Sequence, residues 1–551
     1  MSRSYVPRNG SYVAGISRSR DARVTAGLAA LAFIATLIGG ALLGLGVEGA
    51  GNIAGALAAF DPYLVRVARF TLWQAALSTL LSVLPALFVA RALARHPRFP
   101  GRGFILQLFA VPLALPAIVA ALGVLALYGR AGYFGGLLSS LGGGQWPGIY
   151  GLSGILVAHV FFNLPLATRL FLEALQAIPG DQWRLASQLG MSNVAAFRFL
   201  EWPALRQALP GVAGLVFMLC ITSFTIVLTL GGGPAASTLE VAIYQALRFD
   251  FDPARAVALT LLQVALTAAV VAFLARLGAD MTGDASLPVA PRRFITSSAA
   301  GTALDGMVIL LALAFVAGPM LATVAAGLRA DLLRLAGEEA VRRATLTSVV
   351  LALLSALLAA VLSLSLAMGR RALMLERRRR PVLEFLTGSG TSFVLVIPPI
   401  VIGAGWFLLL RHLSDVFAIA PVMVVTVNAV MAMPFALRAV QPAYDAASER
   451  HERLCAQLGI SGWTRLSLVD WPGLRRPLAT AFAFAMALSL GDLGVIALFG
   501  SDTVQTLPYL LLARMGSYRT EDAAGLALLL GVVCLALVLV ADRLGRRGKE
   551  A

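Results

Sequence analysis

The sequence predicts an all-α polytopic membrane protein with about 12 transmembrane helices, built as two repeated six-helix halves. Three observations predict it. Hydrophobic residues make up 59% of the 551 positions and charged residues 13%, against roughly 25% charged in a soluble domain. Uncharged runs of spanning length, roughly 17–25 residues, recur along the chain. A polar segment between such runs occurs twice: residues 184–206 read RLASQLGMSNVAAFRFLEWPALR and residues 453–475 read RLCAQLGISGWTRLSLVDWPGLR.

The apolar runs fall near 24–47, 70–90, 103–129, 148–168, 207–230, 256–275, 306–328, 344–369, 385–410, 416–437, 477–500 and 523–541. They divide the chain into an N-terminal segment (1–23), a first half (24–277), a linker (278–303), a second half (304–543) and a tail (544–551). Strands of a membrane barrel would be about ten residues long and alternate with a period of two, and these runs do neither. The first run exceeds a signal-peptide core and lacks a convincing small-residue cleavage site. It is therefore read as part of the mature protein, with a cleaved first helix as the alternative. Pro85, Pro112, Pro116 and Pro398-Pro399 are expected to kink helices.

The net charge of +16 raises the question of nucleic acid, but the placement of the charges answers it. Loops assigned to the cytoplasm hold most of the Lys and Arg residues, among them Arg3, Arg8, Arg18, Arg20 and Arg23, the run Arg377–Arg380, and Arg543, Arg546, Arg547 and Lys549. This is the bias that orients membrane proteins, with both termini inside. The basic patches imply contact with anionic lipid, and the interleaved aromatics of a nucleic-acid groove are missing. Cys220, Cys455 and Cys534, and His96, His159, His412 and His451, are too scattered for a disulfide framework or a metal centre. No metal and no cofactor bound by this chain are expected.

Each copy of the repeated loop has the grammar of helix, turn and helix. In the first, Asp181 caps a short helix through Leu189, Gly190 takes a left-handed C′ position, and Ser192 caps a second helix running to Trp202-Pro203. In the second, Leu458-Gly459-Ile460-Ser461 repeats the stop and restart, and Trp471-Pro472 the exit. Small and apolar positions (Ala186, Leu189; Cys455, Leu458) are expected on one side, flanked by Arg184, Arg198, Arg453 and Arg465. So short a helix needs a surface to pack on. A soluble cytoplasmic partner would supply it; an amphipathic loop lying on lipid is the alternative.

With these residues in view, the spacing of Arg184, Ala186, Gly190, Leu200 and Pro203, repeated at Arg453, Cys455, Gly459, Val469 and Pro472, resembles the EAA signature of binding-protein-dependent ABC importer permeases. The resemblance implies that each segment (about 172–208 and 441–476) is a coupling loop docking into a cytoplasmic ATPase, and that a periplasmic substrate-binding protein delivers the solute. Two departures stand out: Arg184 and Arg453 replace the signature Glu, and Trp202 and Trp471 replace the Leu before Pro. A phosphate-binding P-loop requires lysine before Ser or Thr. The only lysine is Lys549, followed by Glu550. ATP and magnesium must therefore bind a separate subunit, two copies of which would serve the fused halves, and the chain itself is not expected to be an enzyme.

Residues 219–259 and 488–522 look more narrowly like thiamine ABC transporter permeases, which implies thiamine and its phosphates as substrates. A ferric iron permease of similar architecture is the alternative within this class. An ion-coupled secondary transporter is the alternative outside it, but the spans lack recurring midplane ionisable groups. Asp492 interrupts an apolar run, and the repeat register sets Ser223 opposite it. Ser223, Phe224, Ser489 and Asp492 are the proposed substrate path, with local capping by Asp492 as the alternative. Gly231-Gly232-Gly233-Pro234 is read as an outer turn. Glu240, Asp250, Asp252, Arg255, Arg519, Glu521 and Asp522 are read as solvated loop charges or as contacts for the binding protein.

Overall fold

Backbone groups in lipid are satisfied most simply within a helix, and every regular element among the described residues is helical. The structure is a computed structural model that describes residues 9–52, 54–55, 60–141, 146–233, 236–276, 298–375, 382–383, 386–387, 397–412, 415–460, 462–501 and 504–546. Its main helices are α1 (Asn9–Gly51), α2 (Pro62–Arg95), α3 (Ala117–Tyr128), α4 (Leu152–Gln176), α5 (Trp202–Ile221), α6 (Phe224–Leu230), α7 (Leu239–Arg248) and α8 (Pro253–Arg276). The second half contributes α9 (Ala299–Gly327), α10 (Glu339–Met374), α11 (Pro399–Leu410), α12 (Ala420–Leu458), α13 (Trp471–Leu490), α14 (Gly494–Phe499), α15 (Leu507–Gly516) and α16 (Thr520–Arg546).

Ten helices among the described residues are long and apolar enough to cross a membrane. The other expected crossings are built in pieces. The run 477–500 breaks between α13 and α14, and of 385–410 the largest described part is the 12-residue α11. The run 103–129 is divided, not kinked: a short helix Arg102–Leu108 and a tight turn Pro112–Ala114 precede α3, because Pro112 and Pro116 lack the N–H that would carry the ladder through. Pro399 starts a helix, while Pro85 lies within α2.

Two compact units divide the chain: 51–341 with 508–532, called here the α2 unit, and 1–50 with 342–507 and 533–551, the α12 unit. Each includes the first helix of the other half of the sequence, α1 in the α12 unit and α9 in the α2 unit. In the α2 unit, α2 is flanked by α4, α5 and α9. Its buried face carries Thr71, Gln74, Ser78 and Ser82. The Gln74 side-chain amide donates to the Cys220 carbonyl at 2.8 Å, Ser78 Oγ lies 2.8 Å from His159 Nδ1, and the Asn163 amide donates to Cys220 Sγ at 3.3 Å. Such uncharged bonds hold helices together where the hydrophobic effect is weak. Asp305 of α9 receives Arg95 at 3.4 Å and His96 at 3.1 Å.

In the α12 unit, α1 lies close against its neighbours. Trp406 Nε1 donates to the Leu37 carbonyl at 2.7 Å, and a Cβ on Gly405 would lie 2.2 Å from the Ala41 carbonyl oxygen, so only glycine permits that approach. Glu48 accepts from Arg411 at 2.8 Å. One bond recurs in both units: Thr71 Oγ1 accepts from the Leu239 N–H at 3.0 Å, and Ser348 Oγ from the Leu507 N–H at 2.8 Å. The hydroxyls take one orphan donor at the start of α7 and of α15.

Candidate functional site

The first loop begins at Ile178-Pro179, which ends the run of α4. A helix then forms at Gly180–Gln188, with Pro179 rather than Asp181 at its N-cap; Asp181 lies in the first turn and pairs with Arg184 at 3.1 Å, both exposed. Gly190 has φ +61°, and the Met191 N–H reaches back to the Ala186 carbonyl at 3.0 Å. That is the closing bond of a Schellman turn, for which a residue without Cβ is favoured. Ser192 caps the restart, accepting from the Ala195 N–H at 3.3 Å. The chain then widens into a π-helical turn, Phe197–Glu201, and continues directly into α5, whose first residues are Trp202 and Pro203.

The second loop differs in its entry. Here α12 runs 39 residues without a break, through Pro434 and Pro442, to Leu458. Gly459 has φ +66°, the Ile460 N–H donates to the Cys455 carbonyl at 2.9 Å, and helix Gly462–Arg465 leads into a π-helical turn, Leu466–Asp470. Trp471 and Pro472 open α13. Ser461 lies outside the described residues.

Ala186 and Leu189 do not share a face, nor do Cys455 and Leu458. Ala186 and Cys455 are each 2% exposed, while Leu189 is 64% and Leu458 61% exposed. Trp183 and Ala186 seat the first loop on its unit, leaving Leu185, Leu189, Val194, Phe199 and Trp202 exposed. In the same register the second loop exposes Leu454, Leu458, Trp463, Leu468 and Trp471. Ten bulky apolar side chains on two polar loops are what a partner surface requires and what water disfavours. Beside the second set, a groove of about 530 Å³ lies between the Ala443–His451 stretch of α12 and Leu468–Gly473.

What fixes these surfaces from beneath is a pair of ionic locks. Glu201, 2% exposed, accepts from Arg91 Nε at 2.6 Å, and the Arg91 guanidinium lies 4.3 Å over the Phe197 ring. In the second loop Arg465 donates to both oxygens of Glu452 at 3.0 Å, and its Nε lies 3.4 Å from Asp470. Arg23 of α1 approaches Glu452 at 3.8 Å. Burial pushes the Asp470 carboxyl above the usual carboxylate range, against the pull of Arg465. Glu201 and Asp470 precede Trp-Pro in both copies, so the repeated acid was a visible signal. Arg91 and Arg23 are far away in sequence and gave none.

The proposed path residues occupy helix breaks. In the α2 unit Ser223 precedes α6, and Phe224 meets Tyr244 edge to face, with centroids 5.4 Å apart. In the α12 unit Asn428 donates to Ser489 Oγ at 3.0 Å; Asp492 Oδ1 accepts from the Gly494 N–H at 3.2 Å, and Oδ2 is buried with no hydrogen-bond partner among the described residues. Asp492 therefore does cap locally. Two of the expected loop charges are interior instead: Glu240 is 1% and Asp522 8% exposed. The turns beside them present aromatics. Phe251 (φ +51°) and Tyr518 (φ +60°) both adopt the left-handed region, 78% and 92% exposed.

The family model described as "Binding-protein-dependent transport system inner membrane component" matches residues 51–283 and 359–547. A thiamine transport system permease protein of Brucella abortus is 58% identical over 526 residues, 96% of either chain. Proteins of the same name from Escherichia coli (45% over 489 residues, 88% of this chain and 90% of that one) and Haemophilus influenzae (38% over 526 residues, 94% and 95%) are also similar. With two matches to that model and relatives alike over nearly its whole length, the chain belongs to the family of binding-protein-dependent transport system inner membrane components, as a multi-pass transport permease.

Proposed function

We propose that the chain is the membrane-spanning subunit of an importer that carries thiamine and its phosphate esters from periplasm to cytoplasm. The observation that carries the substrate is the 58% identity, over 96% of this chain, to a protein named for thiamine transport. A separate ATPase, one copy under each loop, covers the two exposed apolar sets. Its closure pushes both loops, and the six-helix halves rock in alternating access. ATP and magnesium stay on the ATPase, and both termini are cytoplasmic by the distribution of Arg. Lipid and the substrate-binding protein complete the partners.

The turns at Phe251 and Tyr518 are the proposed contacts for the substrate-binding protein. A left-handed aromatic is strained by about 1–2 kcal/mol, and such strain persists where a surface role holds it. Phe251→Gly with Tyr518→Gly is expected to leave thermal stability equal or higher while lowering the ATPase stimulation by loaded binding protein about tenfold. Full stimulation would remove these turns from the interface. Within the path, Asp492→Asn keeps the capping oxygen and deletes the charge. Uptake is expected to fall about tenfold at normal protein levels, and unchanged uptake would leave Asp492 as a cap only.

The decisive experiment reconstitutes the complex with its ATPase and binding protein in liposomes and follows labelled thiamine, with ferric iron beside it. Accumulation of thiamine that needs ATP and the binding protein supports the proposal. Iron uptake alone would replace the substrate, and ATP-independent uptake would replace the mechanism.

A further inference from the structure

Glu240 is the one buried acid of the α2 unit whose charge nothing described answers. Glu201 has Arg91, Asp305 has Arg95 and His96, and Asp522 has Arg334 and Arg514. Glu240 is 1% exposed, its Oε1 has no hydrogen-bond partner among the described residues, and no described ion pair reaches it. An ionised carboxylate so placed is costly: unpaired, the group stays protonated, and a cation arriving to share the site favours its charged form.

The surroundings have the chemistry for one kind of cation. Tyr244 follows Glu240 by one helical turn of α7, on the same face. Its ring meets Phe224 at 5.4 Å and 78°, and Phe249 at 5.6 Å and 84°. Phe224 starts α6 just beyond the break that ends α5. A carboxyl beside edge-to-face aromatic rings can bind a flat organic cation through charge and cation–π contact together, whereas a small hydrated metal ion needs a cage of several oxygens, and no group of three or more Asp, Glu, His or Cys that could hold one stands among the described residues.

We propose that Glu240, Tyr244 and Phe224 form a transit subsite for an aromatic organic cation, with Glu240 facing the positive ring. The proposal rests on the importer reading above and names the residues that would select a cationic heterocycle. Tyr244 and Phe224 are themselves buried, at 7% and 6% exposure, so the subsite opens only when the cycle parts the rings. Brief occupancy suits a path that must release what it binds.

The test uses the full complex in liposomes and measures labelled thiamine uptake and ATP hydrolysis stimulated by loaded binding protein, side by side. Glu240→Gln, isosteric and neutral, is expected to cut uptake per ATP about tenfold while stimulated hydrolysis stays within about twofold, and Glu240→Asp to restore part of the loss. Tyr244→Leu is expected to show the same split. Wild-type uptake per ATP in Glu240→Gln would overturn the proposal. So would a parallel loss of uptake and hydrolysis in both variants, or failure of both to assemble, since either would make the residues structural. If the wild-type complex itself moves no thiamine, the substrate reading fails; the same variants are then assayed with the solute it does move, and uptake of a neutral solute that is insensitive to Glu240→Gln overturns the subsite too.

Discussion

Replacing Gly190 and Gly459 together with valine is expected to lower ATP-driven uptake about a hundredfold, with the protein still inserted in the membrane. Both glycines hold left-handed backbone, at φ +61° and +66°. A β-branched residue there costs about 1–2 kcal/mol each, so the pair weakens the docked loop shape by about 3 kcal/mol, roughly two factors of ten. At Gly190 the effect is conformational and not steric, because a Cβ there would meet nothing within 4 Å. Asparagine, which tolerates this region, is therefore expected to retain most of the activity at Gly190. Uptake, ATP hydrolysis and membrane abundance measured together check it. Normal uptake in the double valine variant would count against the loops as the coupling elements.

Arg465→Ala is expected to destabilise the second loop by about 3–5 kcal/mol, the usual consequence of leaving buried acids without their cation. Arg465 is 5% exposed and bridges Glu452, Ser448 and Asp470. Lysine should recover little, since one ammonium cannot reproduce the two parallel bonds to Glu452. Arg184→Ala is the contrasting case. Its pair with Asp181 is exposed on both sides, and such pairs contribute at most about 1 kcal/mol. Thermal unfolding of the purified complex separates the two, and an Arg465→Ala protein as stable as wild type would show that the cluster is not structural.

The repeat places equal residues in unequal settings. Arg184 and Arg453 stand at the same loop position, yet the stabilising cations are Arg91 below one loop and Arg465 within the other. The resemblance drew attention to the signature position, whereas the charge that holds each loop is elsewhere. Leu189 and Ala186 were legible as a helical pair, but which of them faced inward depended on Trp183 and the helices beneath it, and so did the exposure of Leu185 and Phe199.

The sequence by itself determined the membrane class, the duplication, the two left-handed glycines and the cap at Ser192. These follow from composition and from local backbone chemistry, which need only a few neighbouring residues. Tertiary structure alone decided that α1 packs with 342–507 and α9 with 51–276, that Glu240 is buried with no ion-pair partner among the described residues, and that Arg91 and Arg23 reach acids far away in sequence. Those are consequences of helices meeting across long stretches of chain, and apolar lipid-facing runs carry almost no pattern that says which of them will meet.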